Sequence, residues 1–378
     1  MATDNNNKVL NVPNLRFPGF GGEWEREKLR DKCSFYSGGT PSSSNKSYYN
    51  GEIPFIRSGE ISGDSTELFL SEFGLNNSSA KMVDIGDLLL ALYGATSGQI
   101  AISKIRGAIN QAILCIKSSY DNIFLKSVWE KHVDKILQAY LQGGQGNLSA
   151  DIVKNLSFYF PSLDEQNKIS KLIVLIDERI ATQNKIIEDL KKLKVAIRDK
   201  QLNTIRKHYG LNYQICDLLD YEQPTKYVVT DTEYSEDRSK TPVLTANKAF
   251  ILGYTDESFG VYDKGACIIL DDFTLDCKYV DFPFKVKSSA IKILTVKNGC
   301  SLRYVYEYLN YMNLETTEHK RHYISEIEPM IIAYPTDKKG IDDFNNIMSS
   351  FESKIEIENK YLQSLLTQKV YLLSNMFI

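Results

Sequence analysis

Apolar residues recur along two long stretches of the chain at alternating spacings of four and three. In the first, about 164–207, Ile169, Ile173, Ile176, Ile180, Ile187, Leu190 and Ile197 take these positions, and Gln183 and Lys194 fill the remaining steps. In the second, about 341–378, they are Phe344, Met348, Phe351, Ile355, Leu362, Leu365 and Leu372, with Glu358 and Lys369 in the gaps. A heptad seam sustained over four repeats predicts a coiled coil rather than a surface helix. Each residue of the first set maps onto the second by an offset of 175, polar interruptions included. Shared polar interruptions carry more weight than shared apolar positions, which any two helices have in common.

The polar positions predict an orientation. Parallel packing would set Lys194 against Lys369, a like-charge contact in a partly desolvated seam. Antiparallel packing about a pseudo-twofold axis sets Lys194 against Glu358, Lys369 against Gln183, Leu190 against Leu362 and Ile187 against Leu365.

The repeat extends beyond the helices. Residues 146–152 parallel 321–327 at the same offset, each followed by a short apolar run ending in Pro161 or Pro335. Pro54 corresponds to Pro242, and Trp24 to Tyr213, at offsets of 188 and 189. Short strands broken by Gly, Asn, Ser and Asp are predicted at 53–57, 88–92, 99–103 and 113–117, then at 242–245, 267–270 and 291–296. Helices at 125–141 and 302–312 close the two segments. The expected class is α+β: two β-rich domains separated by two long helices that form an antiparallel coiled coil, with an internal pseudo-twofold repeat. The expected limits are 1–161, 162–208, 209–335 and 336–378.

The composition is that of an ordinary globular protein: 378 residues, 43% hydrophobic and 25% charged. At roughly 100–200 residues per domain this allows two domains. Tyrosine supplies 23 of the aromatic residues, which suits both β-rich cores and polar recognition surfaces. A balance of 45 Lys+Arg to 48 Asp+Glu argues against gripping nucleic acid by bulk charge, but not against clustered cations. The six cysteines form no C-x-x-C pair and read as reduced thiols. The polar start and the lack of an apolar run of about 20 residues predict a cytoplasmic protein.

Motifs for catalysis do not assemble. Phe17-Pro18-Gly19-Phe20-Gly21-Gly22 follows no strand and opens no helix, and Tyr93-Gly94-Ala95-Thr96-Ser97-Gly98-Gln99 lacks the Gly-Lys-Ser/Thr ending of a phosphate loop. His319 and His322 lack the glutamate-bearing zinc arrangement. No catalytic residue, cofactor or metal site is expected.

Recognition chemistry is easier to place. Arg57, Lys81, Lys104 and Arg106 are cations in strand-and-loop segments of the first copy; Gln99, Gln145 and Asn147 are amides near glycines. Tyr93, Thr96 and Ser97 share the turn with Gln99. In the second copy, Asn247 sits beside Lys248, and His319, Lys320, Arg321 and His322 form a basic edge. Arg fits the guanine edge, and Asn or Gln the adenine edge, which makes these the candidate DNA contacts. Residues 191–207 hold seven Lys or Arg against Asp199 alone, a stretch suited to lying along phosphates.

Taken together, Pro13 to Phe20 with Glu23-Trp24 and Lys28-Leu29, Ser37-Gly38-Gly39-Thr40-Pro41, Gly51-Glu52-Ile53-Pro54-Phe55-Ile56, Tyr93 to Gly98 and Gly146-Asn147-Leu148-Ser149 resemble the specificity subunit of bacterial Type I restriction-modification enzymes. Pro161 to Ile169, containing Glu165-Gln166, is similar to that family's spacer helix, usually written P-x-x-x-E-Q. The resemblance covers essentially the whole chain. It implies a DNA-reading subunit without a catalytic centre, each β-rich domain a target-recognition domain for one half of a split sequence. The helices would space these domains and dock two methyltransferase subunits that carry S-adenosylmethionine, and a motor-nuclease subunit would join for cleavage. The seam from 169 to 197 would span about 42 Å at 1.5 Å per residue, roughly one DNA turn. The second helix departs from the pattern: Pro335-Thr336-Asp337-Lys338-Lys339-Gly340 lacks the Glu-Gln pair. The sequence is also compatible with two alternatives: a coiled-coil scaffold that binds only protein, and the recognition part of a methyltransferase or nuclease.

Overall fold

The computed structural model describes residues 10–141, 147–247, 249–297, 299–316 and 320–378. It divides into two compact units, Met1–Asn184 with Lys360–Ile378, and Lys185–Asn359. The division cuts through both long helices, so each unit holds one β-rich region and part of each helix, whereas the domain limits expected above follow chain order.

In the first unit the strands are β1 (Glu25–Lys28), β2 (Cys33–Ser37), β3 (Tyr49–Ile56), β4 (Phe69–Leu70), β5 (Lys81–Val83), β6 (Leu88–Ala91), β7 (Ile100–Ile102), β8 (Gly107–Ile109), β9 (Ile113–Ser118) and β10 (Ser157–Phe160). They form sheets in the orders β2-β9-β6-β7 and β4-β3-β8-β5, with β1 paired to β10. β6 is buried at all four positions, as expected of an interior strand written as an unbroken apolar run. The closing helix α1 (Asn122–Leu141) packs Phe124, Leu125, Val128 and Trp129 into the core formed by β6 and β9.

The second unit repeats this plan. Its strands are β11 (Tyr213–Gln214), β12 (Leu219–Glu222), β13 (Thr241–Leu244), β14 (Ile251–Thr255), β15 (Cys267–Asp271), β16 (Cys277–Val280), β17 (Lys285–Val286), β18 (Ile291–Val296) and β19 (Ile331–Ile332). The orders are β12-β18-β15-β16 and β14-β13-β17, with β11 paired to β19. The parallel pair β3 with β8 recurs as β13 with β17. Only the outer strand matching β5 has no counterpart among the described residues. A second closing helix, shorter than the first at Leu302–Met312, follows β18.

β10 leads into the first long helix, Leu163–Tyr209, and β19 toward the other, Lys338–Met376; with the closing helices these are α2, α3 (the closing helix Leu302–Met312) and α4 in chain order. The Ser162 hydroxyl accepts a bond from the Glu165 amide at the start of α2. Gly210, at φ +66°, ends that helix in the left-handed conformation glycine adopts at little cost. Asp337 caps α4 by accepting from the Gly340 amide at 2.7 Å.

The Glu-Gln pair at the start of α2 has a physical role. Glu165, 1% exposed, takes two bonds from Arg16, whose remaining donors bind the carbonyls of Gly21 and Gly22. Gln166 accepts from the Asp121 amide and donates to the Pro161 carbonyl, tying the start of α2 to the start of α1. The second copy does this differently: the Asn212 side chain exchanges two bonds with the backbone of Tyr334, and Tyr209 bonds Asp337.

Within each unit the two long helices lie side by side. In the second unit Tyr209 meets Asp337 and Lys194 meets Glu352, so numbers rise on one helix as they fall on the other and the pairing is antiparallel. In the first, Lys369 meets Asp177, and Ile169, Ile173 and Ile176 share a core with Leu372 and Met376. Of the seam positions, Ile169, Ile173, Ile176, Ile187, Phe344, Met348, Leu365 and Leu372 are buried; Ile180, Leu190, Lys194, Ile197, Phe351, Ile355, Glu358 and Leu362 are half-buried. Leu190 shares a groove with Ile347, Phe351 and Lys354.

The expected register is corrected by the charges. Lys194 does not face Glu358: its ammonium lies 2.6 Å from Glu307, on α3, and 2.9 Å from Glu352. Glu358 pairs instead with Lys354, one turn away on its own helix. Likewise Lys369 does not sit against Gln183 but lies 2.8 Å from Asp177 and 3.7 Å from Glu130, on α1. A desolvated ammonium needs more than one acceptor, and a third helix supplies a carboxylate that a two-helix pattern cannot anticipate.

Candidate nucleic-acid interface

In the first unit, the loops that carry the sequence motifs converge. The β6–β7 turn is anchored from below by the Trp129 indole, which donates to the Gly98 carbonyl at 2.8 Å. Within it, the Tyr93 hydroxyl donates to the Gln111 carbonyl and Ser97 to the Leu92 carbonyl. That same Leu92 carbonyl accepts the Leu148 amide, which brings exposed Asn147 beside the turn. Thr40 donates to the Gln111 side chain at 2.5 Å, and the Gly39 amide to the Ile109 carbonyl, closing the cluster. Thr40, Gln99, Gln111 and Asn147 are exposed; Tyr93 and Thr96 are half-buried. Burial raises the Tyr93 phenol above its ordinary pKa. Gln111 was missed from sequence, since an isolated polar pair between two strands gives no signal beyond a turn.

The cations of the first unit separate into two kinds. Arg57 is committed: its guanidinium donates to Glu60 at 3.0 Å and Glu67 at 2.5 Å, and those bonds raise its pKa further. Its work is to hold the 57–67 loop, which removes it as a free base-reading group. Arg106 is exposed but pairs with Asp84 at 3.2 Å. Lys81, at the start of β5, and Lys104, in the β7–β8 turn, are exposed and have no carboxylate partner among the described residues.

In the second unit the segment before residue 323 again bonds a β-turn. The His322 amide donates to the Asp272 carbonyl, and the Tyr323 amide to the Asp272 carboxylate at 2.8 Å, so residues 320 and 321 stand by the β15–β16 turn. The expected basic edge is corrected at His322, which is 3% exposed, bonded to Thr316 and Glu326, and therefore turned away from solvent. Lys320 is exposed and pairs with Glu326 at 3.1 Å. Bonds from His322 and Lys320 hold the Glu326 carboxyl below its usual pKa. Arg321 is exposed over the Phe273 ring at 6.0 Å, with no carboxylate partner among the described residues. Asn247 is exposed, its side-chain oxygen accepting the Ala249 amide in the β13–β14 turn. Gln145, Lys248 and His319 lie outside the described residues.

Among the described residues, no group of three or more His, Cys, Asp or Glu is placed to hold a metal, and no helix is long and apolar enough to cross a membrane.

The family model for the Type I restriction modification DNA specificity domain matches residues 21–192, the first β-rich region and the adjoining part of α2. The specificity subunit of the Escherichia coli Type I restriction enzyme EcoR124I/EcoR124II is 48% identical over 125 residues, 32% of this chain and 31% of that protein. The first β-rich region and the adjoining part of α2 are thus similar to the DNA specificity domain of Type I restriction-modification systems. The match spans about a third of the E. coli relative. The specificity subunit of the Methanocaldococcus jannaschii enzyme MjaIX is 24% identical over 298 residues, 74% of this chain and 67% of that protein. The crystal structure of an S subunit from M. genitalium shares the fold, with a TM-score of 0.58 over 97% of this chain and 99% of that one at 14% identity. The MjaIX match, at 74% of this chain, is long enough to run beyond residues 21–192 into the second β-rich region, and the M. genitalium structure adds the shared fold.

Proposed function

We propose that this chain is the non-catalytic DNA-reading subunit of a Type I restriction-modification complex, in which each β-rich region reads one half of a split target. The observation that carries the reading is that one layered topology is built twice while the exposed side chains at matching edges differ: Gln99, Gln111 and Asn147 in one copy, Lys320 and Arg321 in the other. Similar folds with different contact residues give two half-sites of different sequence and hence a directional target. Asn147, Gln99, Lys81, Lys104, Arg321, Lys320 and Asn247 are the contacts proposed from the described residues. The long helices space the two readers and dock two methyltransferase subunits, which carry S-adenosylmethionine, and a motor-nuclease subunit completes the restricting complex.

The test is co-purification with the cognate methyltransferase subunit, followed by sequencing of methylated sites. The expected result is a stable complex that modifies one two-part motif. Methyl transfer by this chain alone, or a complex whose modified sites show no two-part motif, overturns the reading.

A further inference from the structure

The two lysines that interrupt the apolar seams make matching constellations, one in each unit. Lys194 of α2 bonds Glu352 of α4 and Glu307 of α3; Lys369 of α4 bonds Asp177 of α2 and pairs with Glu130 of α1. Lys194 and Lys369 differ by 175 in number, as do Asp177 and Glu352, while Glu130 and Glu307 differ by 177. Each ammonium therefore joins three helices: both long helices and the helix that closes its own β-rich region. Neither lysine is a free surface cation, since each side chain is only about a fifth exposed, at 18% and 20%. Burial opposes the charge on Lys369, yet Asp177 and Glu130 outweigh it and hold its pKa above the ordinary value.

The closing helices in turn hold the edges that carry the exposed polar groups. Trp129, beside Glu130, donates its indole N–H to Gly98 in the β6–β7 turn. In the second unit Arg303, one turn before Glu307, bonds Glu352 and lies 4.6 Å over the ring of Tyr279, on the strand that follows the β15–β16 turn. The ammonium, the closing helix and the reading edge thus form a short continuous path in each unit.

We propose that Lys194 and Lys369 are positioning residues that fix how each β-rich region is carried on the helix pair, and so fix the number of base pairs allowed between the two half-sites. This rests on the reading of the chain as a split-target reader. The bases preferred within each half-site belong to the exposed edge, whereas spacing belongs to the clamp.

The experiment uses the assembled complex with its methyltransferase subunits and a duplex library in which both half-sites are fixed and the spacer varies by one or two base pairs. Glu307→Gln and Glu130→Gln remove the closing helix's charge from the lysine while leaving each lysine its bond to the other long helix; Lys194→Arg and Lys369→Arg keep the charge. Discrimination against the wrong spacer should fall about tenfold in the Gln variants, the scale of a coupling between packed neighbours, with the base preference of each half-site kept. The Arg variants should stay near the wild type. Unchanged spacer discrimination in Gln variants that unfold as cooperatively as the wild type overturns the proposal, as does loss of base preference with spacing intact. A wild-type complex with no two-part target would overturn the underlying reading instead.

Discussion

Gly38 lies in the Ser-Gly-Gly-Thr-Pro motif, and its reason is contact distance. A Cβ built there would stand 1.7 Å from the Ile109 carbonyl oxygen, a backbone atom fixed in the β8 ladder. Gly38→Ala must therefore move backbone, and we expect a loss of at least about 2 kcal/mol of stability, read from the denaturant midpoint. A variant as stable as the wild type would show that the loop yields freely. Other residues were opaque for the opposite reason, because charge in a sequence does not reveal burial. Lys285 is 0% exposed, bonded to the Phe259 carbonyl at 2.7 Å and paired with Glu257 at 2.8 Å. Burial would raise the Glu257 carboxyl, but bonds from Lys285 and Thr230 and from the amides of Thr230 and Asp231 hold it at about 2. A carboxyl depressed by folding contributes stability above its ordinary pKa of 4.5 and loses it as pH falls toward 2. Glu257→Gln should thus be less stable at pH 7 and show a shallower decline between pH 4.5 and 2. Equal slopes in acid denaturation curves of the two proteins would contradict this. The same blindness to burial explains His322, which read as part of a basic edge and sits instead among Asp272, Thr316 and Glu326.

The elements follow apolar period closely where a single face decides burial. The seam positions on α2 and α4 are all buried or half-buried, and the interior strand Leu88–Ala91 and the buried first four residues of β9, 113–116, are continuous apolar runs in the chain. What period does not contain is register between helices when a third helix is present. The heptad pattern pairs the polar interruptions with each other, but Glu307 and Glu130 come from α3 and α1, each more than a hundred residues in sequence from the lysine it meets. Very short strands also escape prediction: β19 has two residues and is held by pairing with β11 rather than by its own propensity. Register is testable within the second unit. With accessible native cysteines replaced, Lys194→Cys and Glu352→Cys should link readily through a short bis-maleimide, whereas Lys194→Cys and Glu358→Cys should not. Preferential linking of the 194 and 358 pair would restore the register in which Lys194 faces Glu358.

For the whole molecule, charge bears on how DNA is held. A net charge of −3 leaves little bulk attraction for phosphates, so under the proposed function much of the nonspecific grip would fall to the methyltransferase subunits and the selective contacts to this chain. Two arginines that look alike in sequence then have opposite expected phenotypes. Arg57 is bound to Glu60 and Glu67 and raised further in pKa by those bonds, so Arg57→Ala should loosen the 57–67 loop and lower stability with base preference kept at both half-sites. Arg321 stands over Phe273 with no carboxylate among the described residues to hold it, so Arg321→Ala should leave the thermal midpoint within about 1 °C and act on one half-site alone. If Arg321 meets a base edge, methylated-site sequencing should show one position of that half-site relaxed, at a cost of about 1–3 kcal/mol of discrimination. If it meets a phosphate, affinity should drop for all sequences and the salt dependence should lessen by about one counterion, with no position relaxed. Relaxation at both half-sites would sink the assignment of one reading edge to each unit, because Arg321 belongs to the second unit alone.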